Sequence, residues 1–143
     1  MLTEELLHAL SESKHIDEFL QNHESEINTI DLQTYLYELI EKAGYTIPQI
    51  IEKASIGRSL AYQIFNWQRT PNRNLIIRLA LIMKLTLEET QRLLKIAKRG
   101  ELYPRIQRDA AIIFCIQHKY SLIDTNELLE NLSEAILLKE DLY

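Results

Sequence analysis

Apolar residues recur at intervals of three and four along almost the whole chain, and segments with the strict alternation of a half-buried strand are nearly absent. That spacing lines one side of an α-helix and cannot line one face of a sheet, so the chain must fold as packed helices. With 3 Gly and 3 Pro in 143 residues there is little turn chemistry for hairpins either. The expectation is an all-α protein of seven or more helices, with Leu36, Leu39, Ile50, Ile64, Leu79 and Leu93 in its core.

Helix boundaries are written into the sequence. From Asp31 the apolar positions Leu32, Leu36, Leu39, Ile40 and Ala43 run to a stop at Gly44. Thr46-Ile-Pro-Gln49 reads as a new start: a Thr N-cap, a Pro in the first turn and a Gln that closes a capping box. A short helix to about Ala54, a turn of Ser55, Ile56 and Gly57, and a helix from Arg58 to about Trp67 follow, with Ala61, Ile64 and Phe65 facing inward. An apolar helix from about Asn72 to Lys84 comes next. Thr86-Leu-Glu-Glu89 forms a second capping box, and its helix runs through Leu93, Leu94 and Ala97 to Gly100.

Pro104 is expected to open a further helix to about Lys119, with Ile106, Ala110, Ile113, Phe114 and Cys115 inward. A last helix starts at Ser121, and Leu128, Leu132 and Ile136 are expected to pack on the domain or on a second subunit. The stretch Lys84–Leu94 matches Lys119–Leu129 at a period of 35: both carry a hydroxyl N-cap, an acid three residues later and a Leu-Leu pair. We read this match as convergence on good capping rather than duplication. Upstream, Leu6, Leu7 and Leu10, then Ile16, Phe19 and Leu20, mark one or two short amphipathic helices, a docking arm or a partner site. These boundaries divide the chain into an acidic N-terminal extension (1–30), a central domain (31–100) and a C-terminal helical hairpin packed on it (101–143).

The net charge of −5 conceals a strong asymmetry. Residues 1–57 hold 3 Lys/Arg against 11 Asp/Glu, residues 58–108 hold 11 against 3, and residues 109–143 hold 2 against 7. The basic third begins where the helix at Arg58 begins, which is the distribution expected of a nucleic-acid-binding face on an acidic protein. In the helix pair of residues 46–67, Ile50, Ile51, Ile56, Ala61 and Ile64 fall inward and Arg58, Ser59, Tyr62, Gln63 and Asn66 outward. That is the pattern of a helix-turn-helix, in which the first helix holds the second so that its leading residues reach base edges. Leu60 and Tyr62 suit either thymine methyls or packing within the chain; packing is preferred for Tyr62, and both readings stay open for Leu60.

The stretch Tyr45-Thr-Ile-Pro-Gln-Ile-Ile-Glu-Lys-Ala-Ser-Ile-Gly-Arg-Ser-Leu-Ala-Tyr-Gln-Ile-Phe-Asn-Trp-Gln-Arg-Thr-Pro71 resembles the Xre-like regulators of the lambda-repressor and Cro superfamily. The resemblance extends over about residues 32–98 and implies that family's five-helix DNA-binding domain, here with N- and C-terminal helical extensions. It implies that Arg58, Ser59 and Gln63 read bases and that Thr46, Asn66, Arg69 and Arg73 hold phosphates, chemistry that suits Arg with guanine and Gln with adenine. Ile51, Ser55 and Trp67 stand where that family usually has a small residue, a turn Gly and a closing Gly.

Other chemistries lack residues. His8, His15 and His23 are 7 and 8 apart, with no paired i, i+4 ligands, and read as solvated surface side chains rather than metal ligands. Cys115, the only cysteine, sits in the apolar run Ile112–Ile116 and reads as core. No Gly-rich phosphate loop and no nucleophile–base arrangement is present, so neither enzymatic activity nor a cofactor is expected. The longest apolar stretch, Leu75–Met83, contains Arg78 and is far shorter than the roughly 20 residues of a membrane span. The expectation is therefore a cytoplasmic, sequence-specific transcriptional regulator that binds double-stranded DNA as a homodimer, with a protein partner at the acidic ends. The alternative is an interaction adaptor that kept the fold without DNA binding.

Overall fold

Every stretch of backbone that leaves a helix must find new hydrogen-bond partners, and among the described residues one solution is used six times. The computed structural model describes residues 3–23, 31–66 and 68–138; Trp67, where the sequence reading ended its second helix, lies outside them. The described residues form nine helices and no strand. They are α1 (Thr3–Glu12), α2 (Ile16–Asn22), α3 (Leu32–Lys42), α4 (Ile47–Lys53), α5 (Arg58–Phe65), α6 (Arg73–Ile82), α7 (Leu87–Ile96), α8 (Gln107–Gln117) and α9 (Leu122–Asn131).

Helices α3, α4, α6, α7, α8 and α9 all end in a left-handed residue: Gly44, Ser55, Lys84, Lys98, Lys119 and Ser133, with φ between 55° and 82°. The next N–H turns back to the final helical turn, as in Tyr45 to Ile40 O at 3.1 Å, Leu85 to Ala80 O at 3.0 Å and Tyr120 to Cys115 O at 2.9 Å. These are Schellman closures, and five of the six place a non-glycine residue in the left-handed region. After Gly44, Lys84 and Lys119, one apolar residue leads straight to the next N-cap. Thr46 and Thr86 form complete capping boxes with Gln49 and Glu89, and the Ser121 hydroxyl accepts from Asp124 N.

The chain divides into two units, residues 1–30 and 31–143. In the first, α1 and α2 pair and Phe19 is buried, while Leu7, Leu10, Ile16 and Leu20 are exposed. In the second, α6 is the central element: all seven residues from Leu75 to Leu81 are buried, as happens only when a helix is covered on every side. Helices α7, α8 and α9 pack on it, and α3 packs on α7, where Lys42 meets Glu89 at 3.1 Å. Leu36, Leu39, Ile50, Ile64, Leu79 and Leu93 are all in the core.

The register of 35 extends well beyond capping. Each of the hairpins α6–α7 and α8–α9 is followed by an extended strap, residues 99–103 and 134–138. Gln91 clamps the first strap, accepting from Leu102 N and donating to Leu102 O, both at 2.8 Å. Asn126, 35 residues on, clamps Leu137 in the same way at 2.7 and 3.3 Å. Arg73 Nε donates to Gly100 O and Arg108 Nε to Ala135 O, each at 2.8 Å. Buried Thr90 and Thr125 return their hydroxyls to the N-cap carbonyls of Thr86 and Ser121. Lys84 Nζ and Lys119 Nζ donate to each other's backbone carbonyls at 2.9 Å, joining the two hairpins. Convergence on capping does not account for matched clamps, arginines and straps; the two segments are one structural unit used twice.

The sequence reading needs correction at α8 and α9. Residues 104–106 form a turn and α8 begins at Gln107. Its buried residues are Asp109, Ala111, Ile112, Cys115 and Ile116, whereas Ile106 is 51% and Phe114 43% exposed. The helix is apolar on most of its circumference, so periodicity allowed two inward faces; the face chosen is the one that buries Asp109 against Arg73. In α9 and its strap, Leu129 and Leu137 are buried, Leu128 and Ile136 only half-buried, and Leu132 exposed.

A left-handed residue other than Gly carries a steric cost of about 1 kcal/mol or more, partly offset by the entropy that Gly adds to the unfolded chain. Ser55→Gly is therefore expected to stabilise the protein by about 0.5 kcal/mol in urea unfolding, and Gly44→Ala, at φ 82°, to destabilise it by about 1 kcal/mol.

Candidate nucleic-acid interface

The α4–α5 pair is built from the turn outward. Thr46 and Gln49 set the start of α4, where the Thr46 hydroxyl accepts from Gln49 N at 3.3 Å and the Gln49 side chain from Thr46 N at 2.8 Å. At the other end Ser55 turns left-handed, Ile56 plugs into the core and Gly57 is the N-cap of α5, with no side-chain cap. Leu60, Ala61 and Ile64 anchor α5 inward. The half-buried Phe65 stacks near Tyr37, ring centroids 6.5 Å apart, and accepts a long hydrogen bond from the Tyr37 hydroxyl at 3.4 Å.

The outward side of α5 carries Arg58, Ser59 and Tyr62, all exposed, with Gln63 half-buried beside them. Tyr62 is 62% exposed, so the packing role preferred from sequence is wrong; Leu60, two residues back and on the other side of α5, is the residue that packs. Asn66 is exposed but its side-chain amide donates to Tyr62 O at 2.9 Å, and so helps to close the helix. The chain then bends so that Gln68 N and Arg69 N both reach Gln63 O, at 2.8 and 3.0 Å, leaving the Arg69 side chain exposed. Neither Arg58 nor Arg69 has an ion-pair partner among the described residues. An open cleft beside the turn, lined by Pro48, Ile51, Glu52, Ser55, Ile56, Gly57 and Arg58, brings one carboxylate, Glu52, to this side.

Arg73 does not join this group. Its guanidinium makes a bidentate pair with the Asp109 carboxylate at 2.9 and 3.2 Å and also donates to Gly100 O and Glu101 O. Asp109, only 3% exposed, takes a further hydrogen bond from Tyr103 N at 3.0 Å. The pair ties the start of α6 to α8 and to the first strap, so the side chain is engaged within the fold and is unavailable to a phosphate.

Other cations of the basic third are engaged in the same way. Arg78 donates to Ala54 O and Leu137 O, Arg99 to Pro71 O and Thr70 O, and Arg108 to Ala135 O and Asn74. Arg92 lies over the Tyr35 ring at 4.8 Å. The charge asymmetry of the sequence is thus in large part a set of internal staples. The signal for this in the sequence is the pairing of Arg73 with Arg108 at the 35-residue period, which lies upstream of the matched stretches Lys84–Leu94 and Lys119–Leu129. Within residues 58–108, the exposed cations with no side-chain hydrogen bond, ion pair or ring contact among the described residues are Arg58, Arg69, Lys95, Lys98 and Arg105. Cys115 is fully buried and burial raises its thiol pKa, which keeps it protonated and unreactive.

No family model, curated protein or solved structure matches this chain.

Removing Arg73 would leave the buried Asp109 carboxylate with the Tyr103 N–H alone. Arg73→Ala is expected to cost about 3 kcal/mol of stability, measured by denaturant unfolding. Arg69→Ala, on the exposed side, is expected to change it by less than about 0.5 kcal/mol.

Proposed function

We propose that this chain is a sequence-specific regulator that binds double-stranded DNA by laying α5 in the major groove. The observation that carries the reading is the outward row Arg58, Ser59 and Tyr62, held on a short helix whose other side is locked by Leu60, Ala61 and Ile64 and whose entry turn is pinned to the core. In this reading Arg58, Ser59 and Gln63 meet base edges, Tyr62 lies against thymine methyls, and Thr46, Asn66 and Arg69 face phosphates. Arg73 is left out. The order α3–α7 is consistent with the five-helix domain of the lambda-repressor and Cro superfamily, and DNA binding through it needs no cofactor and no catalytic residue. One recognition helix covers only a few base pairs, so useful specificity calls for a homodimer on paired half-sites.

A second reading, a helical adaptor without DNA binding, is favoured by a different observation. Much of the basic charge is committed to staples, and Tyr103 and Ile106, before α8, and Phe114, on it, are exposed. Exposed large apolar side chains of this kind suit a protein partner.

Selection from a random duplex pool followed by titration of the enriched sequence separates the two. Arg58→Ala is expected to weaken binding to the preferred sequence by about 1–3 kcal/mol and to random DNA much less. Arg69→Ala is expected to weaken both alike and to lower the salt slope by roughly one unit. If neither variant alters binding at low salt, the DNA reading fails and the adaptor takes its place.

A further inference from the structure

The most unusual side chain of the second unit is Arg78. It lies in the middle of the apolar helix α6, is 6% exposed, and has no carboxylate partner among the described residues. Burial pushes its pKa down, and its Nε is buried without a hydrogen bond. Among the described residues two backbone carbonyls compensate the charge. One is Ala54 O, at the end of α4, accepting from Nη2 at 3.1 Å; the other is Leu137 O, in the second strap, accepting from Nη1 at 2.8 Å. The guanidinium therefore bridges two segments 83 residues apart in sequence, one of which is the entry to the helix-turn-helix.

The repeat shows that this bridge is an addition to the architecture and not a requirement of it. Counting 35 residues on from Arg78 gives Ile113, so the second hairpin-and-strap repeat is built without such a group. The first strap, whose Leu102 O is clamped by Gln91, has no counterpart tie to the α4–α5 pair among the described residues. The second strap is also lightly held. Residues 134–138 form no regular secondary structure, Ala135 and Leu138 are exposed, and the segment is fixed by the buried Leu137 and by side-chain hydrogen bonds from Asn126, Arg108, Gln107 and Arg78. Segments of that kind open well below the free energy of global unfolding.

From these contacts we propose that the second strap is a releasable latch that controls the α4–α5 turn through Arg78. When the strap lifts, Nη1 loses its acceptor, and a buried cation already lacking a partner at Nε is left with Ala54 O alone. The remaining route to compensation is water, which enters beside the end of α4 and loosens the turn that presents Arg58. A ligand or partner that takes the strap thereby weakens whatever α5 holds. The link between strap and turn stands on geometry alone; only its consequence for DNA rests on the function proposed above.

Hydrogen exchange on the full chain, read by mass spectrometry, tests the link without DNA. Asn126→Ala, which removes the clamp on Leu137, is expected to speed exchange about fivefold at Ala54, Ser55 and Ile56 as well as in the strap, the change that loss of one ordinary hydrogen bond brings. Gln91→Ala, the matching change at the first strap, is expected to leave those three amides as they were. Arg108→Ala, which frees the strap at Ala135 from a less buried position, is expected to act in the direction of Asn126→Ala and serves if that variant does not fold. In Arg78→Met the turn should exchange fast whether or not Asn126 is replaced. Faster exchange confined to the strap in Asn126→Ala and Arg108→Ala would overturn the latch. If the turn responds but no duplex binds, the latch stands and the DNA reading alone falls.

Discussion

A backbone carbonyl pressed against apolar helices needs a donor as firmly as a core needs filling, and the second unit depends on how that need is met. Straps 99–103 and 134–138 lie along helices without a neighbouring strand to pair with. Arginine suits the task because a guanidinium offers five donors in a fixed fork on a long, partly apolar stem. Arg73, Arg78, Arg99 and Arg108 each reach at least one main-chain carbonyl. The amide side chains of Gln91 and Asn126 act as a one-residue sheet edge, donating and accepting at the same residue of the strap. Without these groups the straps would have to move out to water, and Leu102 and Leu137 would leave the core with them.

Much of this architecture could be read in the sequence wherever the controlling physics is local. Capping boxes at Thr46 and Thr86, the stop at Gly44 and the period of α3–α7 depend on residues three or four apart, so a linear reading finds them. The face of α8 was not legible because it depends on a contact between Asp109 and Arg73, 36 residues away, and because the helix has apolar residues on both sides. Packing at Tyr62 was misjudged as well: it stands two residues from Leu60, on nearly the opposite side of α5, so the burial of Leu60 leaves Tyr62 outward.

The helix pair of the candidate site and the exposure of Arg58, Ser59 and Arg69 were legible in the sequence, and the disposition of its charge less so. Counting cations along the chain treats each one as facing solvent, yet an arginine that staples a carbonyl counts the same as one that faces a phosphate. The structure separates them: side chains at the ends of α5 are open, and those at the start and middle of α6 are closed. The guanidinium groups of the stapling arginines are held in place, so they contribute charge to the surface without being free to reach a ligand.

Reuse of one hairpin-plus-strap unit has a consequence for how such a chain can change length. Each unit closes its own strap with its own amide and its own arginine, and the two meet at the exchanged lysines Lys84 and Lys119. A third unit could be added beyond the second in a single step of 35 residues, whereas removing the second would strand the side chains of Arg73 and Arg78 that reach into it. Growth of this kind asks only that the outermost unit present a side the next can cover, as in other linear arrays. The outward apolar residues of α8 would then record the array's open end, so that an awkward feature of a single molecule becomes the growth point of a modular one.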